Sequence, residues 1–259
     1  TSAASLGDRL STMANRPPPG RCVHCLEFFD SMTWDHVFPK AWYPDTTPEN
    51  LEKWKIPSCL PCNALHAKGE AELLIRIGLC VDPDNLRNAG IVEKALRALS
   101  SASAKNDKDA RARAAERQKI FNQVFKGSEI PYQAVYPGFG PQPGIHEVEA
   151  ERVAVPISAT ALRHLTEKVV RGITYIQDRK LIEKPYHIEQ YVLDEEGAGP
   201  IKAILRRFGK VYERGPGITV TRAVVPEDQM TAVYGIEIWG RLTAYAGLSR
   251  EESETATKL

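Results

Sequence analysis

Cys22-Val23-His24-Cys25 and Cys59-Leu60-Pro61-Cys62 decide how the N-terminal part of this chain folds. Each is a pair of cysteines two residues apart, the spacing of a knuckle whose thiolates face one metal ion. Two knuckles supply the four thiolates of a closed tetrahedral site, so Cys22, Cys25, Cys59 and Cys62 are assigned to one structural Zn²⁺. The segment between them is then a loop that the ion staples shut. Structural zinc contributes on the order of 10 kcal/mol to the folding of small peptides, enough to decide whether so short a module folds. His24, between two ligands, is expected to point away from the metal as a bystander. The fifth cysteine, Cys80, lies in an apolar helical stretch and reads as a buried thiol.

Working outward, Phe28, Phe29, Met32, Trp34, Val37 and Phe38 form apolar runs too short for a helix. They predict a hairpin with His36 near the end of a strand. Pro39, Pro44 and Pro48 hold a loop as far as Asn50. Trp34, Trp42 and Trp54 read as packing residues.

The metal module occupies residues 21–70, after an N-terminal arm over 1–20 that ends in Arg16-Pro17-Pro18-Pro19-Gly20. A helical extension follows over 71–127, with helices predicted near 69–80, 90–100 and 107–126. The third carries Arg111, Arg113 and Arg117 among its lysines, which suits either a phosphate-tracking face or a solvated one. Pro and Gly crowd residues 128–147, a linker. Residues 148–259 predict a C-terminal α+β domain with a mainly antiparallel sheet. Its strands are expected over 148–157, 187–193, 217–225, 230–239 and 241–246, and its helices over 159–176 and 200–208. Leu162, Leu165, Val169 and Ile173 make the stripe of the longer helix. The fold class is α+β, a zinc-stapled module followed by helices and this second domain.

Hydrophobic residues are 42% and charged residues 26%, ordinary values for a globular chain. A net charge of +1 does not exclude a nucleic-acid partner, because basic residues can gather on one face. No apolar run is long enough to cross a bilayer, and the N-terminus lacks a basic start and an apolar core segment. No membrane partner and a cytoplasmic location are the expectation. Four of five cysteines in close pairs argue for metal in a reducing compartment.

The order Cys-x-x-Cys, Asp35-His36-x-x-Pro39, Asn50-Leu51, Cys-x-x-Cys-Asn63 with a nearby Lys68 resembles the zinc-containing branch of the HNH (ββα-metal) endonucleases. The likeness covers roughly residues 20–70. A second stretch, Leu162 to Gly172, is similar to a region downstream in some bacterial and phage HNH proteins. The resemblance implies a ββα-metal fold and metal-dependent hydrolysis of DNA, leaving 5′-phosphate and 3′-hydroxyl ends. It makes His36 the base, Asp35 a ligand of a catalytic Mg²⁺ or Mn²⁺, and Asn50 the residue that orients His36. A His or Asn on the following helix completes the metal site. Here Asn63 stands where the family name has its third His, and His66 projects from nearly the same face one turn later. Either can be the ligand. Lys40 and Lys68, with Arg111, Arg113 and Arg117, are the candidate nucleic-acid contacts.

The resulting expectation is an HNH endonuclease of bacterial restriction or phage defence. Its C-terminal domain would recognise a target or partner, a second copy included. A zinc-ribbon module that binds nucleic acid without cutting it is one rival, a nuclease gated by a ligand or partner another, and RNA is an alternative substrate.

Overall fold

In a computed structural model of the chain, which describes residues 16–130, 153–191, 193 and 196–251, the first knuckle is the turn of a short ladder. Its strands are β1 (Gly20–Arg21) and β2 (Phe28–Phe29), antiparallel. Cys22 N–H donates to Glu27 O and Leu26 N–H to Cys22 O, each at 2.9 Å. This return is tight enough to put Leu26 at φ 69°, a conformation that a non-glycine residue adopts at a cost.

The predicted hairpin follows as β3 (Thr33–His36) against β4 (Lys55–Ser58), with Asp35 opposite Ile56 and His36 opposite Lys55. Next comes α1 (Leu60–Gly78), so the module runs strand, strand, helix. Pro61 sits in the first turn, where a missing N–H leaves nothing unsatisfied. The helix starts at Leu60 rather than near residue 69, because its first turns leave Leu60 and Leu65 exposed and show no apolar stripe. α2 (Ile91–Leu99) and α3 (Asp107–Phe121) match the next two expected helices, α3 ending earlier than residue 126. The Asn106 side chain caps α3 by accepting the Asp109 N–H. β5 (Phe125–Lys126) pairs with β6 (Val153–Ala154), which falls in the strand expected over 148–157, a stretch whose first half lies outside the described residues. Most of the N-terminal arm and of the linker lies outside the described residues.

Beyond this, α4 (Ala159–Asp178) begins with Ser158 accepting the Ala161 N–H at 3.2 Å. β7 (Tyr186–Tyr191), α5 (Gly199–Phe208), β8 (Lys210–Glu213), β9 (Ile218–Val224), β10 (Ala232–Ile238) and β11 (Leu242–Arg250) complete the chain. The five strands form one antiparallel sheet in the order β7-β11-β10-β9-β8. Sequence reasoning did not anticipate β8, and it stopped β11 at Ala246 where the strand reaches Arg250.

Alternation along the strands serves two faces. Tyr234, Ile236, Ala244 and Ala246 join the main core, whereas Ala223 and Tyr245 pack with Leu205 of α5. The α4 stripe of Leu162, Leu165, Val169 and Ile173 is buried as expected, but so are Thr166, Lys168 and Thr174. α4 is therefore covered on more than one side, and it packs on α1 as well as on the strands. One apolar core is continuous from Val23, Val37 and Ile56, through Leu73 and Ile77 of α1, to the sheet. Trp42 and Trp239 join the same core, with rings 4.9 Å apart and Trp239 Nε1 donating to Trp42 O at 3.0 Å. No helix is long and apolar enough to cross a membrane among the described residues.

Candidate functional site

The two knuckles meet. The Sγ atoms of Cys22, Cys25, Cys59 and Cys62 all lie within 4.8 Å of one another, and Cys25 and Cys59 are 3.8 Å apart. A tetrahedral zinc with sulfur ligands at about 2.3 Å requires sulfurs about 3.8 Å apart, so the four thiols fit that ion. Backbone N–H groups of His24 and Cys59 point at Cys22 Sγ from 3.4 and 3.3 Å. Burial pushes the Cys22 thiol up, but N–H groups of Cys25, Cys59 and His24 outweigh it and bring the pKa down to about 7. The fold thus favours one thiolate before any metal binds. Cys80, just past the end of α1, is half-buried, donates to Arg76 O and has its pKa raised by burial. It stands apart from this group.

Beside the knuckles lies a buried polar cluster. Asp35 faces inward from β3, with one carboxylate oxygen 3.0 Å from His24 Nε2 and the other accepting from Lys168 Nζ at 2.7 Å. The Lys168 ammonium also pairs with Glu70 of α1. Lys168 is 1% exposed and Asp35 4%. Burial works against ionising Asp35, yet the His24 hydrogen bond and the Lys168 charge outweigh it and hold the carboxyl below its ordinary range. Glu70 moves the other way, raised by burial despite the same lysine. His66 packs its ring 4.3 Å from that of His24, and His164 of α4 meets His66 edge-on at 6.4 Å. Burial, then the neighbouring His24 and Lys168, bring the pKa of His66 down to about 3.

His36 ends β3, half-buried. Burial first, then the positive charges of Lys40 and Lys55, bring its pKa down to about 4, so its imidazole is neutral near pH 7. Asn50 is exposed in the turn after Pro48. Asn63 turns its amide to Thr33 Oγ1 at 3.1 Å. Lys40, Lys68, Arg111 and Arg117 are exposed, whereas Arg113 is tied to Asp109 and to the Arg97 carbonyl.

The structure brings Asp35 and His66 into one cluster but does not arrange Asp35, Asn63 and His66 as a cation site. Both Asp35 oxygens are engaged, the Asn63 amide nitrogen donates to Thr33 Oγ1, and an ammonium already sits between the two carboxylates. Among the described residues, the cysteines are the one group of three or more His, Cys, Asp and Glu side chains close enough to share an ion. The residues present therefore fit a structural zinc and do not fit a second, divalent ion at Asp35.

Sequence reasoning missed His24, Glu70, His164 and Lys168. His24 does turn away from the cysteines, as expected, and its ring instead meets Asp35. A hint lay in α4, where Lys168 stands three residues after Leu165 and beside Val169, inside the apolar stripe. No family model, curated protein or solved structure matches the chain.

Proposed function

We propose that the chain is an HNH-type endonuclease that hydrolyses DNA phosphodiester bonds, with His36 as the base. The observation that carries this reading is an imidazole held neutral at the end of the first strand of a hairpin-plus-helix unit, beside four thiols gathered for one ion. A neutral imidazole can take a proton from an attacking water, though burial and the Lys40 and Lys55 charges make His36 a weaker base than an ordinary histidine until a bound phosphate offsets those charges. The new P–O bond forms as the bond to the 3′ oxygen breaks, which leaves a 5′-phosphate and a 3′-hydroxyl. Lys40 and Lys55, the cations nearest His36, can draw in the phosphate and offset its charge. A zinc held by the four thiols would tie the first knuckle to the start of α1 and take no part in the step. The family likeness places Mg²⁺ or Mn²⁺ on Asp35. Lys168 has that position, so no step is assigned to such an ion.

The C-terminal half fits a role in recognising a target or a partner, and restriction or phage defence in the cytoplasm is the setting we assign. Plasmid and RNA are offered side by side to the zinc-loaded chain, with and without Mg²⁺ or Mn²⁺. DNA cleavage that His36→Ala abolishes is the expected result. Activity that survives in that variant, or no cleavage under any condition, would sink the assignment of His36.

A gated nuclease is the second reading, favoured by the burial of Asp35 and His66 together with Lys168 of α4. Constitutive cleavage by the purified chain would count against it.

A further inference from the structure

The side chains that do not fit a divalent ion show what stands in its place. Lys168 is 1% exposed, and an ammonium taken out of water is strongly disfavoured unless opposite charges surround it. Asp35 Oδ1 at 2.7 Å and the Glu70 carboxylate supply those charges from two different elements, β3 and α1. Carboxylate oxygens converging on one point are how proteins hold Mg²⁺ or Mn²⁺. Here the point is the end of a side chain fixed to α4.

Helix packing holds that side chain in place. A Cβ on Gly172 of α4 would lie 2.8 Å from a methyl of Val37, the neighbour of His36, so the helix and strand touch backbone to side chain. Toward the other end of α4, a Cβ on Gly69 of α1 would lie 3.5 Å from that of Ala161. Lys168 lies between these two contacts. Its reach to Asp35 spans 133 residues of sequence yet is set by rigid surfaces on both sides.

We propose that Lys168 is the resident cation of the Asp35–Glu70 pair: it offsets the charge of the carboxylates, fixes the strand that carries His36, and closes the pair to a divalent ion. It is a positioning residue that acts through Asp35. The role given to His36 rests on the nuclease reading, but the closure of the carboxylate pair does not.

Mn²⁺ binding to the zinc-loaded full-length chain, read from the electron paramagnetic resonance of free Mn²⁺, tests the closure. Wild type and Asp35→Asn are expected to bind Mn²⁺ alike. Lys168→Ala is expected to gain a Mn²⁺ site that the added Asp35→Asn removes. A site in wild type that Asp35→Asn abolishes overturns the proposal. So does a Lys168→Ala chain with its zinc and its native circular dichroism that gains no site. If Lys168→Ala does not fold, Lys168→Met keeps the aliphatic stem in the core and is read the same way, and the comparison of wild type with Asp35→Asn decides alone. No cleavage is measured, so a chain that shows these results but cuts no nucleic acid would refute the nuclease reading and leave the resident cation standing.

Discussion

His36 and His66 are both kept from taking a proton, by burial above all, but their consequences differ. His36 is half-buried at a strand end, where neutrality is what the base we propose requires. His66 is buried against two other imidazoles, where neutrality is a condition of folding. Its folded pKa of about 3 lies below the ordinary 6.5, so in the pH window between them the unfolded chain binds the extra proton. Its contribution is fully present above about pH 6.5 and is lost as pH falls toward 3. From about pH 6.5 to about 5.5, that one group should cost about 1 kcal/mol. Chemical denaturation of the zinc-loaded chain at the two pH values checks this, and His66→Phe, which cannot titrate, should flatten the slope. The cysteines make a sharper prediction, since Cys59 begins α1 as well as facing the metal site. Cys59→Ser should abolish stoichiometric zinc and the native melting transition together. Retention of both would show that three thiolates suffice. The four cysteines were legible because their spacing is local. His24, Glu70 and Lys168 were not, because nothing short of the packed structure reveals which residues converge on Asp35.

At the scale of elements, the readable parts were those whose pattern answers to one neighbour. The α4 stripe and the alternating β9 and β10 each announced a buried face and were found there. The first turns of α1 were hidden because the cysteine cluster, rather than an apolar stripe, positions them. What the α4 stripe did not disclose is that the helix buries a second side, and Gly172 makes that side close enough to matter. Replacing Gly172 by Ala adds a methyl 2.8 and 2.9 Å from the two Cγ atoms of Val37. Val37 is β-branched and fully buried, so it cannot swing aside cheaply. Overpacking of this kind costs about 1–3 kcal/mol. The better helix propensity of Ala returns about 1 kcal/mol. Gly172→Ala should therefore be destabilising on balance, by about 1 kcal/mol in urea unfolding. The clash should vanish when Val37→Ala is present, so a double-mutant cycle would report a coupling between the two sites. Additive effects would mean that helix and strand can part without strain.

Across the whole molecule, the zinc and the sheet act on the same module from opposite ends. The four thiols gather locally, and an ion they held would close the knuckles with residues 22–62 alone. The core that Val23, Val37, Leu73 and Ile77 enter needs more, since Leu162, Leu165 and Val169 of α4 belong to it. The polar cluster has the same requirement, because Lys168 is the cation between Asp35 and Glu70. Removing one partner from a buried ion pair costs about 3–5 kcal/mol, a large part of the stability of an ordinary domain. A fragment of residues 16–130 keeps all four thiols but loses α4, the sheet and that ammonium together. It should still bind zinc with one ion per chain, since ligation is local. It should unfold without a cooperative transition and bind an apolar dye, because the α1 face that meets α4 is laid open. Zinc stoichiometry, calorimetry and dye fluorescence on the fragment and the full chain check this. A sharp melting transition in the fragment would show that zinc alone organises the module, and that the core shared with the sheet is dispensable for holding His36 in place.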